Sequence, residues 1–284
     1  MVAILIGGDY LKSLYIHIPF CKSKCYYCDF NSYCGKEDLI EKYVDTVIAD
    51  IKQLNEEFSS VYFGGGTPSV IPSKYIKDIM KHIKCNGEIT LELNPGTITK
   101  EKLLDFKEAG INRLSIGLQA AQDDLLKQIG RIHTLKDFDE AYSLTREVGF
   151  NNISVDLMFG LPNQTVKDVE ESLNYIIDIN PEHVSCYSLI VHDELVEKHP
   201  LAFSNLPNDE TERQMYYLIC YRLLKAGFEH YEISNFAKYG YESKHNMCYW
   251  NQDEYYGVGA GASGYINGER YKNADSIEEY ISRS

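Results

Sequence analysis

The sequence lacks an apolar run long enough to cross a membrane, and it lacks a secretory signal. The apolar run at residues 2–6 is far shorter than the roughly 20 residues that a membrane-spanning helix needs. It also has neither the basic flank nor the full apolar region of a signal peptide. We therefore interpret residues 1–12 as an N-terminal leader, and we expect a cytoplasmic protein without an integral membrane segment.

Positive charge is scarce as well. The chain has 28 lysines and arginines against 42 aspartates and glutamates, which gives a formal net charge of −14. Nucleic acids and anionic membranes bind to basic surfaces, so neither is an expected partner. The 284 residues, of which 44% are hydrophobic and 25% charged, are sufficient for one large globular domain with a substantial core.

Disulfides are not expected either, although the chain contains eight cysteines. Cysteines in a long chain without a secretory signal are more often reduced thiols or metal ligands. Cys21, Cys25 and Cys28 lie within eight residues, directly after a strand-like run in the segment YIHIPFCKSKCYYCDFN. We interpret the other five, at positions 34, 85, 186, 220 and 248, as packing thiols.

The spacing C-x-x-x-C-x-x-C places three thiolates on a loop short enough to bind three irons of a cubane cluster. A [4Fe–4S] cluster is otherwise held by four cysteines, so a three-cysteine site leaves one iron open for chemistry. A structural zinc site is the alternative, but it requires four ligands, usually as two separated pairs. The nearby candidate for a fourth ligand is Cys34, so the pattern favours iron–sulfur.

Strand and helix patterns alternate from residue 13 to about residue 190. The first strand is predicted at residues 13–19, a long helix at 36–58 and a short strand at 61–63, and similar pairs follow. Such alternation predicts parallel strands with right-handed crossovers. Six units are too few for a closed eight-stranded barrel. We therefore predict an α/β fold, a partial, three-quarter (β/α)6 TIM-like barrel over residues 13–190.

The pattern changes after residue 190. HDELVEKHP, at residues 192–200, is predicted to be a polar loop, and a long helix is predicted at residues 207–226. Together with the following short segments, these residues predict a small α+β extension over residues 191–284. The extension contains the sequence HNMCYW at residues 245–250. On its own, a single histidine such as His245 is most often a hydrogen-bonded core or surface residue.

The cysteine motif, with Tyr27 directly before its last cysteine, resembles that of the radical S-adenosylmethionine (SAM) superfamily. In that superfamily SAM chelates the open iron, and the usual fold is the three-quarter barrel. The flanking YIHIPFC and CDF are similar to the branch that contains the oxygen-independent coproporphyrinogen III oxidases and the related haem chaperones. The resemblance extends over residues 13–275.

This resemblance implies two ligand sites. The first would bind SAM and be lined by Tyr15, Tyr27, Gly65, Gly66, Thr67 and Glu92. The second would bind another SAM or a substrate and be lined by Gln119, Arg131, Asp156 and Ile190. From the residues alone, the three glycines fit a tight turn, and Glu92 fits an outward-facing strand position equally well. A flavodoxin-type or ferredoxin-type electron donor is also implied.

The segment EISNFA followed by H-N-x-x-Y-W resembles the haem chaperones of this branch. In them the histidine is implicated in haem binding, and a neutral imidazole is a good axial ligand for haem iron. The resemblance therefore implies that His245 binds haem. The expected partners are haem or a porphyrin and haem-accepting proteins, and a homodimer is left open.

Two departures distinguish the chain from the oxidases of the branch. Their motif continues as C-x-C, whereas Phe30 occupies that position here, and their long N-terminal arm has no counterpart. Both features favour a haem chaperone over the alternative, an oxidative decarboxylase of coproporphyrinogen III, and a structural zinc protein is the third interpretation. Members of the branch usually continue into a C-terminal domain, which we expect to be missing or truncated here.

Overall fold

A computed structural model describes residues 11–283 of the chain. Residues 1–10, which hold most of the predicted leader, lie outside the described part, so the leader stays a prediction. Eleven strands form one sheet within residues 11–283. They are β1 Ser13–Ile18, β2 Glu57–Gly65, β3 Lys84–Leu93, β4 Arg113–Gln119, β5 Ile153–Phe159, β6 His183–Ser188, β7 Glu229–Glu232, β8 Asn235–Ala237, β9 Tyr255–Val258, β10 Ser263–Ile266 and β11 Glu269–Lys272.

The α-helices lie mainly between consecutive strands. They are α1 Ile40–Leu54, α2 Ser73–Met80, α3 Lys100–Glu108, α4 Asp123–Gln128, α5 Leu135–Val148, α6 Val166–Ile179, α7 Asp193–Lys198, α8 Asp209–Lys225, α9 Lys244–Trp250 and α10 Ile277–Ser282. Short 3-10 helices precede α1 and α2 at Glu37–Leu39 and Pro68–Val70. No helix within residues 11–283 is both long and apolar enough to cross a membrane.

The sheet order is β11-β10-β9-β1-β2-β3-β4-β5-β6-β8-β7. Strands β1 to β6 pair in parallel with their sequence neighbours, and β9 pairs in parallel with the other side of β1. The sheet does not close on itself, because β11 and β7 form its two edges. The predicted α/β fold with an open, partial barrel is therefore confirmed.

The C-terminal segment adds strands to both edges of this sheet. Strand β8 pairs antiparallel with β6, whereas β9 pairs with β1 at the other side. The residues after 190 thus share one continuous sheet with the core. The boundary that the sequence predicts at residue 190 stays a prediction about domain organisation.

The sequence pattern predicts helices at residues 135–148 and 166–179, and α5 and α6 have these bounds because their ends carry strong local signals. Helices α5 and α6 both begin with a capping box, in which a threonine and an aspartate three residues later exchange hydrogen bonds with each other's backbone. Both end at a residue in the left-handed conformation, Gly149 and Asn180 respectively. Local capping residues, and not contacts with residues distant in the sequence, therefore set these boundaries.

Other local predictions are wrong. The helix predicted at residues 36–58 ends at Leu54, where Asn55 adopts a left-handed φ of 48°, and β2 begins at Glu57. The predicted polar loop at residues 192–200 contains α7, and α4 was not predicted. Both missed helices have six residues, too few to show an apolar stripe with helical period.

The two faces of the parallel strands differ in polarity. Leu14, Ile16 and Ile18 of β1 are fully buried in the apolar core, which lies between the sheet and the helices. Alternate residues face the inside of the barrel, because successive strand side chains point to opposite faces. The inner positions Glu88 of β3 and Arg113 of β4 are only 7% and 2% exposed.

Glu88 and Arg113 form a buried ion pair inside the barrel, with 3.9 Å between Arg113 Nε and Glu88 Oε2. Glu88 Oε1 also accepts hydrogen bonds from the Ser243 hydroxyl at 3.3 Å and from the His245 backbone N–H at 3.2 Å. A buried charge is tolerated only when it is paired and hydrogen-bonded. This pair therefore ties the extension to the interior of the barrel.

We expect Arg113→Met to lower the free energy of unfolding by about 3–5 kcal/mol, because it leaves Glu88 buried without its counter-charge. The double variant Glu88→Gln/Arg113→Met should recover part of that loss. Urea denaturation of all three proteins measures the effect. Arg213→Met is the matched control, since its ion pair with Glu210 is exposed and should matter little. An unchanged stability of Arg113→Met would contradict the assignment.

Candidate functional site

The cysteine loop, residues 19–33, follows the carboxyl end of β1. Its base is closed by two backbone hydrogen bonds, from Cys21 N–H to Tyr33 O at 2.9 Å and from Tyr33 N–H to Pro19 O at 2.7 Å. The loop therefore leaves and rejoins the sheet at one place. In α/β barrels the carboxyl ends of the strands carry the chemistry, and the loop lies at that end.

The three thiols of this loop contact different neighbours. Cys21 Sγ lies 3.5 Å from Thr67 Oγ1, Cys28 Sγ lies 3.9 Å from Ser32 Oγ, and Cys25 Sγ lies 3.8 Å from Arg131 Nη1. Burial raises the pKa of the Cys21 and Cys28 thiols. Three thiol donors on one loop match the donor set of a cluster with one open iron.

Cys34, the fourth cysteine of the region, is exposed. Within residues 11–283 no three His, Cys, Asp or Glu side chains are already gathered around one point as metal ligands. Binding of either an iron–sulfur cluster or a zinc ion would therefore require the ligating side chains to move closer together. The cluster interpretation needs only the three loop cysteines, whereas zinc needs a fourth ligand.

The glycines after β2 permit a close approach to the cysteine loop. Gly65 has a φ of +112°, and a Cβ there would lie 2.5 Å from the His17 ring. A Cβ at Gly66 would lie 2.9 Å from Phe20 O. The Gly66 N–H donates to Ile18 O at 2.9 Å. Only glycine fits at both positions, so the triple glycine closes the end of β2 onto the start of the loop.

Thr67 connects this junction to the end of β3. Its Oγ1 contacts Cys21 Sγ and accepts a hydrogen bond from Asn94 Nδ2 at 2.9 Å. Asn94 Oδ1 in turn accepts from Arg131 Nη2 at 2.7 Å. The ends of β1, β2 and β3 are thereby joined to Arg131 through side chains. Asn94 directly follows the carboxyl end of β3, and this position is the signal in the sequence that could have identified it as a site residue.

Arg131 places a positive charge beside the cysteine loop. Besides Cys25 Sγ, its Nη1 lies 3.4 Å from the Tyr27 hydroxyl, and Nη2 donates to Gly117 O at 3.2 Å. Burial, and then the charge of Arg131, lower the pKa of His133 to about 4. The guanidinium is thus held by fixed acceptors, and it can stabilise negative charge on the thiolates or on a bound carboxylate.

Glu92 and its neighbours form the polar floor of the predicted first SAM site. The Tyr62 hydroxyl donates to Glu92 Oε1 at 2.8 Å, and the Gly65 N–H donates to Oε2 at 3.3 Å. Burial raises the pKa of the Glu92 carboxyl to about 7. The Tyr15 ring stacks on Tyr62, with 6.2 Å between ring centroids. The structure therefore brings Tyr15, Gly65 and Glu92 into one neighbourhood.

Of the residues predicted for the second site, Gln119 ends β4, Asp156 lies in the middle of β5, and Ile190 follows the end of β6. Gln119 is buried and adopts a φ of +70° at a register shift between β4 and β5. Asp156 accepts a hydrogen bond from Ser115 Oγ at 3.1 Å, and burial raises its pKa. Its charge also raises the pKa of Glu92, so the two sites adjoin. Ile190 is 70% exposed.

His245 lies inside the barrel and is fully buried. Its Nδ1 lies 2.9 Å from Ser60 Oγ, and its Nε2 lies 2.8 Å from the Tyr249 hydroxyl. Burial lowers its pKa to about 3, so the ring is neutral at physiological pH. Both ring nitrogens are already hydrogen-bonded. The prediction that His245 ligates haem would therefore require this part of the structure to open.

Residues 15–176, more than half of the chain, match the Radical SAM superfamily. This is the class of protein that the open α/β barrel and its cysteine loop define. Membership of this class implies a [4Fe–4S] cluster and SAM.

Among similar proteins, the "Heme chaperone HemW" of Bacillus subtilis (strain 168) is 42% identical over 288 residues, which cover 95% of this chain and 75% of that protein. The protein of the same name from Escherichia coli (strain K12) is 35% identical, with 89% of this chain and 70% of that protein covered. The chain therefore belongs to the HemW family within the radical SAM superfamily.

A solved structure supports the fold separately. Coproporphyrinogen III oxidase (HemN) from Escherichia coli, described as a radical SAM enzyme, aligns with a TM-score of 0.84 over 96% of this chain and 69% of that chain. The sequence identity is 22%, so this likeness concerns the fold. Together with the similarity to the HemW proteins, it confirms the resemblance to the coproporphyrinogen-oxidase-like branch.

We expect Glu92 to make stability depend on pH. Its folded-state pKa of about 7 exceeds its ordinary value of 4.5, so its contribution is fully present below about pH 4.5 and is lost as the pH rises through about 7. Urea denaturation of the cluster-free protein at pH 5 and pH 8 should show this loss, on the order of 2 kcal/mol.

The variant Glu92→Gln should remove that part of the pH dependence, because an amide does not titrate in this range. Glu101→Gln, on the exposed start of α3, is the matched control and should behave like the wild type. The same pH dependence in the wild type and in Glu92→Gln would show that Glu92 has an ordinary pKa.

Proposed function

We propose that this protein binds haem and delivers it to haem-requiring proteins, and that it carries a [4Fe–4S] cluster on Cys21, Cys25 and Cys28 with SAM beside it. The observation that carries the proposal is the similarity to proteins named heme chaperone across 95% of the chain. The cysteine loop and the glycine junction support the cluster and SAM sites. Phe30, 62% exposed, occupies the position where the oxidases have a further cysteine.

The bound cluster would supply an open iron that SAM could chelate, and an electron that could cleave SAM. Cys21, Cys25 and Cys28 would hold the cluster, and Thr67 and Arg131, which contact two of these sulfurs, would fix their orientation. Tyr15, Tyr27, Gly65, Gly66, Thr67 and Glu92 would line the SAM beside it. The glycine backbone admits a ligand closely because no side chain intervenes.

A second SAM or substrate would lie against Gln119, Arg131, Asp156 and Ile190. Support comes from Arg131 and Asp156, whose charges interact and which could bind a carboxylate and a cationic group respectively. We further propose a cytoplasmic location, haem-accepting partner proteins and an electron donor of the flavodoxin or ferredoxin type. The acidic net charge of −14 suits a protein that does not bind nucleic acid.

The cluster assignment predicts different effects of two cysteine substitutions. After anaerobic reconstitution, Cys25→Ser should lose most of its iron and sulfide and its broad visible absorbance, because the cluster loses one of three ligands. Cys34→Ser should keep the wild-type content, since Cys34 is exposed and outside the motif. Iron, sulfide and zinc analysis measures this. One zinc per chain without sulfide, or equal losses in both variants, would contradict the assignment.

The haem-delivery proposal is tested with the anaerobically reconstituted protein. We expect saturable binding of about one haem per chain. After the haem-loaded protein is mixed with the apo form of a haem protein, the haem should pass to that acceptor. Absorbance of the acceptor measures the transfer, and free haem at the same concentration is the control for passive transfer. Absence of saturable haem binding would contradict the proposal.

The rival activity is oxidative decarboxylation of coproporphyrinogen III. Incubation of the reduced protein with SAM and coproporphyrinogen III, followed by product analysis, separates the two. A haem chaperone should form no protoporphyrinogen above a control without SAM. Product above that control would show that the protein is an enzyme of this branch.

A further inference from the structure

The Tyr62 hydroxyl and the Glu92 carboxyl meet inside the barrel, on the inner faces of two neighbouring parallel strands. Tyr62 pairs in register with Thr90, so Glu92 is the next inner position of β3 towards the carboxyl end of the strands. The hydroxyl donates to Glu92 Oε1 at 2.8 Å. Tyr62 therefore holds Glu92 from the amino-end side of the barrel, opposite to the end that carries the cysteine loop.

The space for this hydrogen bond exists because residue 64 has no side chain. Gly64 is the next inner position of β2 after Tyr62. A Cβ on this glycine would lie 2.9 Å from the Tyr62 ring and 3.1 Å from both Glu92 Oε1 and the Tyr15 ring. Carbon atoms pack best at about 3.5–4.0 Å, so a side chain here would displace the Tyr62 ring. The first residue of the triple glycine is thus required for the contact between Tyr62 and Glu92.

Two further rings fix the orientation of the Tyr62 phenol. Its ring stacks on Tyr15, with 6.2 Å between centroids and an interplanar angle of 26°, and it lies 5.2 Å from the His245 ring. Burial, and then the charge of Glu92, raise the pKa of Tyr62 well above its ordinary value. The phenol therefore keeps its proton and acts as a donor to the carboxylate. A donor that is held between two rings and stays protonated fixes the position of Glu92 Oε1.

Glu92 keeps acceptor capacity for a ligand in addition to its contacts with the protein. An ionised carboxylate has two oxygens with about four acceptor positions. Tyr62 donates to Oε1, and the Gly65 N–H donates to Oε2 at 3.3 Å, so about one further position on each oxygen is available. Hydrogen bonds to an ionised acceptor are roughly twice as strong as bonds between neutral groups. A correctly oriented Glu92 carboxylate can therefore bind a hydroxyl or amino group of SAM.

We propose that Tyr62 is a positioning residue of the SAM site: its hydroxyl fixes the Glu92 carboxylate in the orientation in which that carboxylate binds a donor group of SAM. The inference rests on the proposed SAM binding, and Tyr62 acts on SAM only through Glu92. Tyr15 and Glu92, which lie on separate strands of the predicted site, are both in contact with Tyr62. Tyr62 thereby links two members of the site.

The groups around Glu92 determine how its charge follows pH. Burial raises the pKa of Glu92 to about 7, and the Tyr62 hydroxyl lowers it. Asp156 on β5 raises this pKa, and Arg113 on β4 lowers it. Loss of the Tyr62 hydroxyl should therefore raise the pKa of Glu92 and move its ionisation to higher pH. Three tyrosines on β1, β6 and α9, which burial keeps neutral by raising their pKa values, also lie near Glu92: Tyr15, Tyr187 and Tyr249.

The test measures equilibrium binding of SAM, across the pH range around neutrality, to the anaerobically reconstituted wild type, Tyr62→Phe, Glu92→Gln and Tyr75→Phe. Tyr75, half-buried on the outer helix α2, is the matched control. SAM carries a sulfonium cation, so we expect its affinity for the wild type to rise with pH as Glu92 ionises. Tyr62→Phe should weaken binding at neutral pH by about tenfold and move the rise to higher pH.

The other variants isolate this effect. Glu92→Gln should lack the rise, and Tyr75→Phe should match the wild type. The double variant Tyr62→Phe/Glu92→Gln should bind SAM no more weakly than Glu92→Gln, because both substitutions act on one carboxylate. Titration of SAM or of the cluster is common to all the proteins and cancels in the comparison. A purely structural role of Tyr62 would lower the affinity by the same factor at every pH.

A second measurement needs neither the cluster nor SAM. In cluster-free protein labelled with carbon-13 at the glutamate carboxyl, the NMR signal of Glu92 is identified by its absence from Glu92→Gln. We expect this signal to titrate at about pH 7 in the wild type and at higher pH in Tyr62→Phe. In protein of wild-type sequence, replacement of tyrosine by 3-fluorotyrosine, a more acidic and stronger donor, should shift the titration to lower pH.

The outcomes separate the inference from the proposed function. An unchanged Glu92 titration in Tyr62→Phe or in the fluorotyrosine protein, or an equal loss of SAM affinity at every pH, would overturn the inference and leave SAM binding intact. A wild type that holds its cluster but binds no SAM would instead overturn the proposed SAM site.

Discussion

Successive side chains of the parallel strands point to opposite faces of the sheet. The rest of the structure depends on this alternation. One face of each strand packs against helices, and the other faces an interior that six strands cannot close. Polar groups occupy that interior, including Arg113, Glu88 and His183, and each needs a hydrogen-bonding partner. The extension supplies partners: Ser243 donates to Glu88, and the Tyr231 hydroxyl lies 2.8 Å from His183 Nε2. It thereby satisfies part of the polar interior of the barrel.

A small number of contacts between strand ends also positions the cysteine loop. Gly66 brings the end of β2 against the start of the loop, and Thr67 links Cys21 to Asn94 and so to Arg131. These residues come from different strand ends, so their relative positions are set by sheet register rather than by the loop itself. The loop that carries Cys21, Cys25 and Cys28 is consequently attached to a rigid frame at its base.

The sequence was informative wherever the signal was local. Helices α5 and α6 were predicted with correct bounds because capping residues mark them, and the three glycines at residues 64–66 were interpreted as a tight turn. Features that depend on contacts between residues far apart in the sequence could not be predicted. The burial of His245 results from Ser60 and Glu88, which lie more than 150 positions away. H-N-x-x-Y-W has the same pattern whether its histidine is buried or exposed.

One set of rings links the predicted SAM floor to helix α9 of the extension. Tyr62 donates to Glu92, its ring centroid lies 5.2 Å from that of His245, and His245 contacts Tyr249. Contiguity of this kind does not by itself constitute coupling, which requires two states that both ligands bias differently. If SAM does change the affinity for haem through these rings, haem must change the affinity for SAM by the same factor.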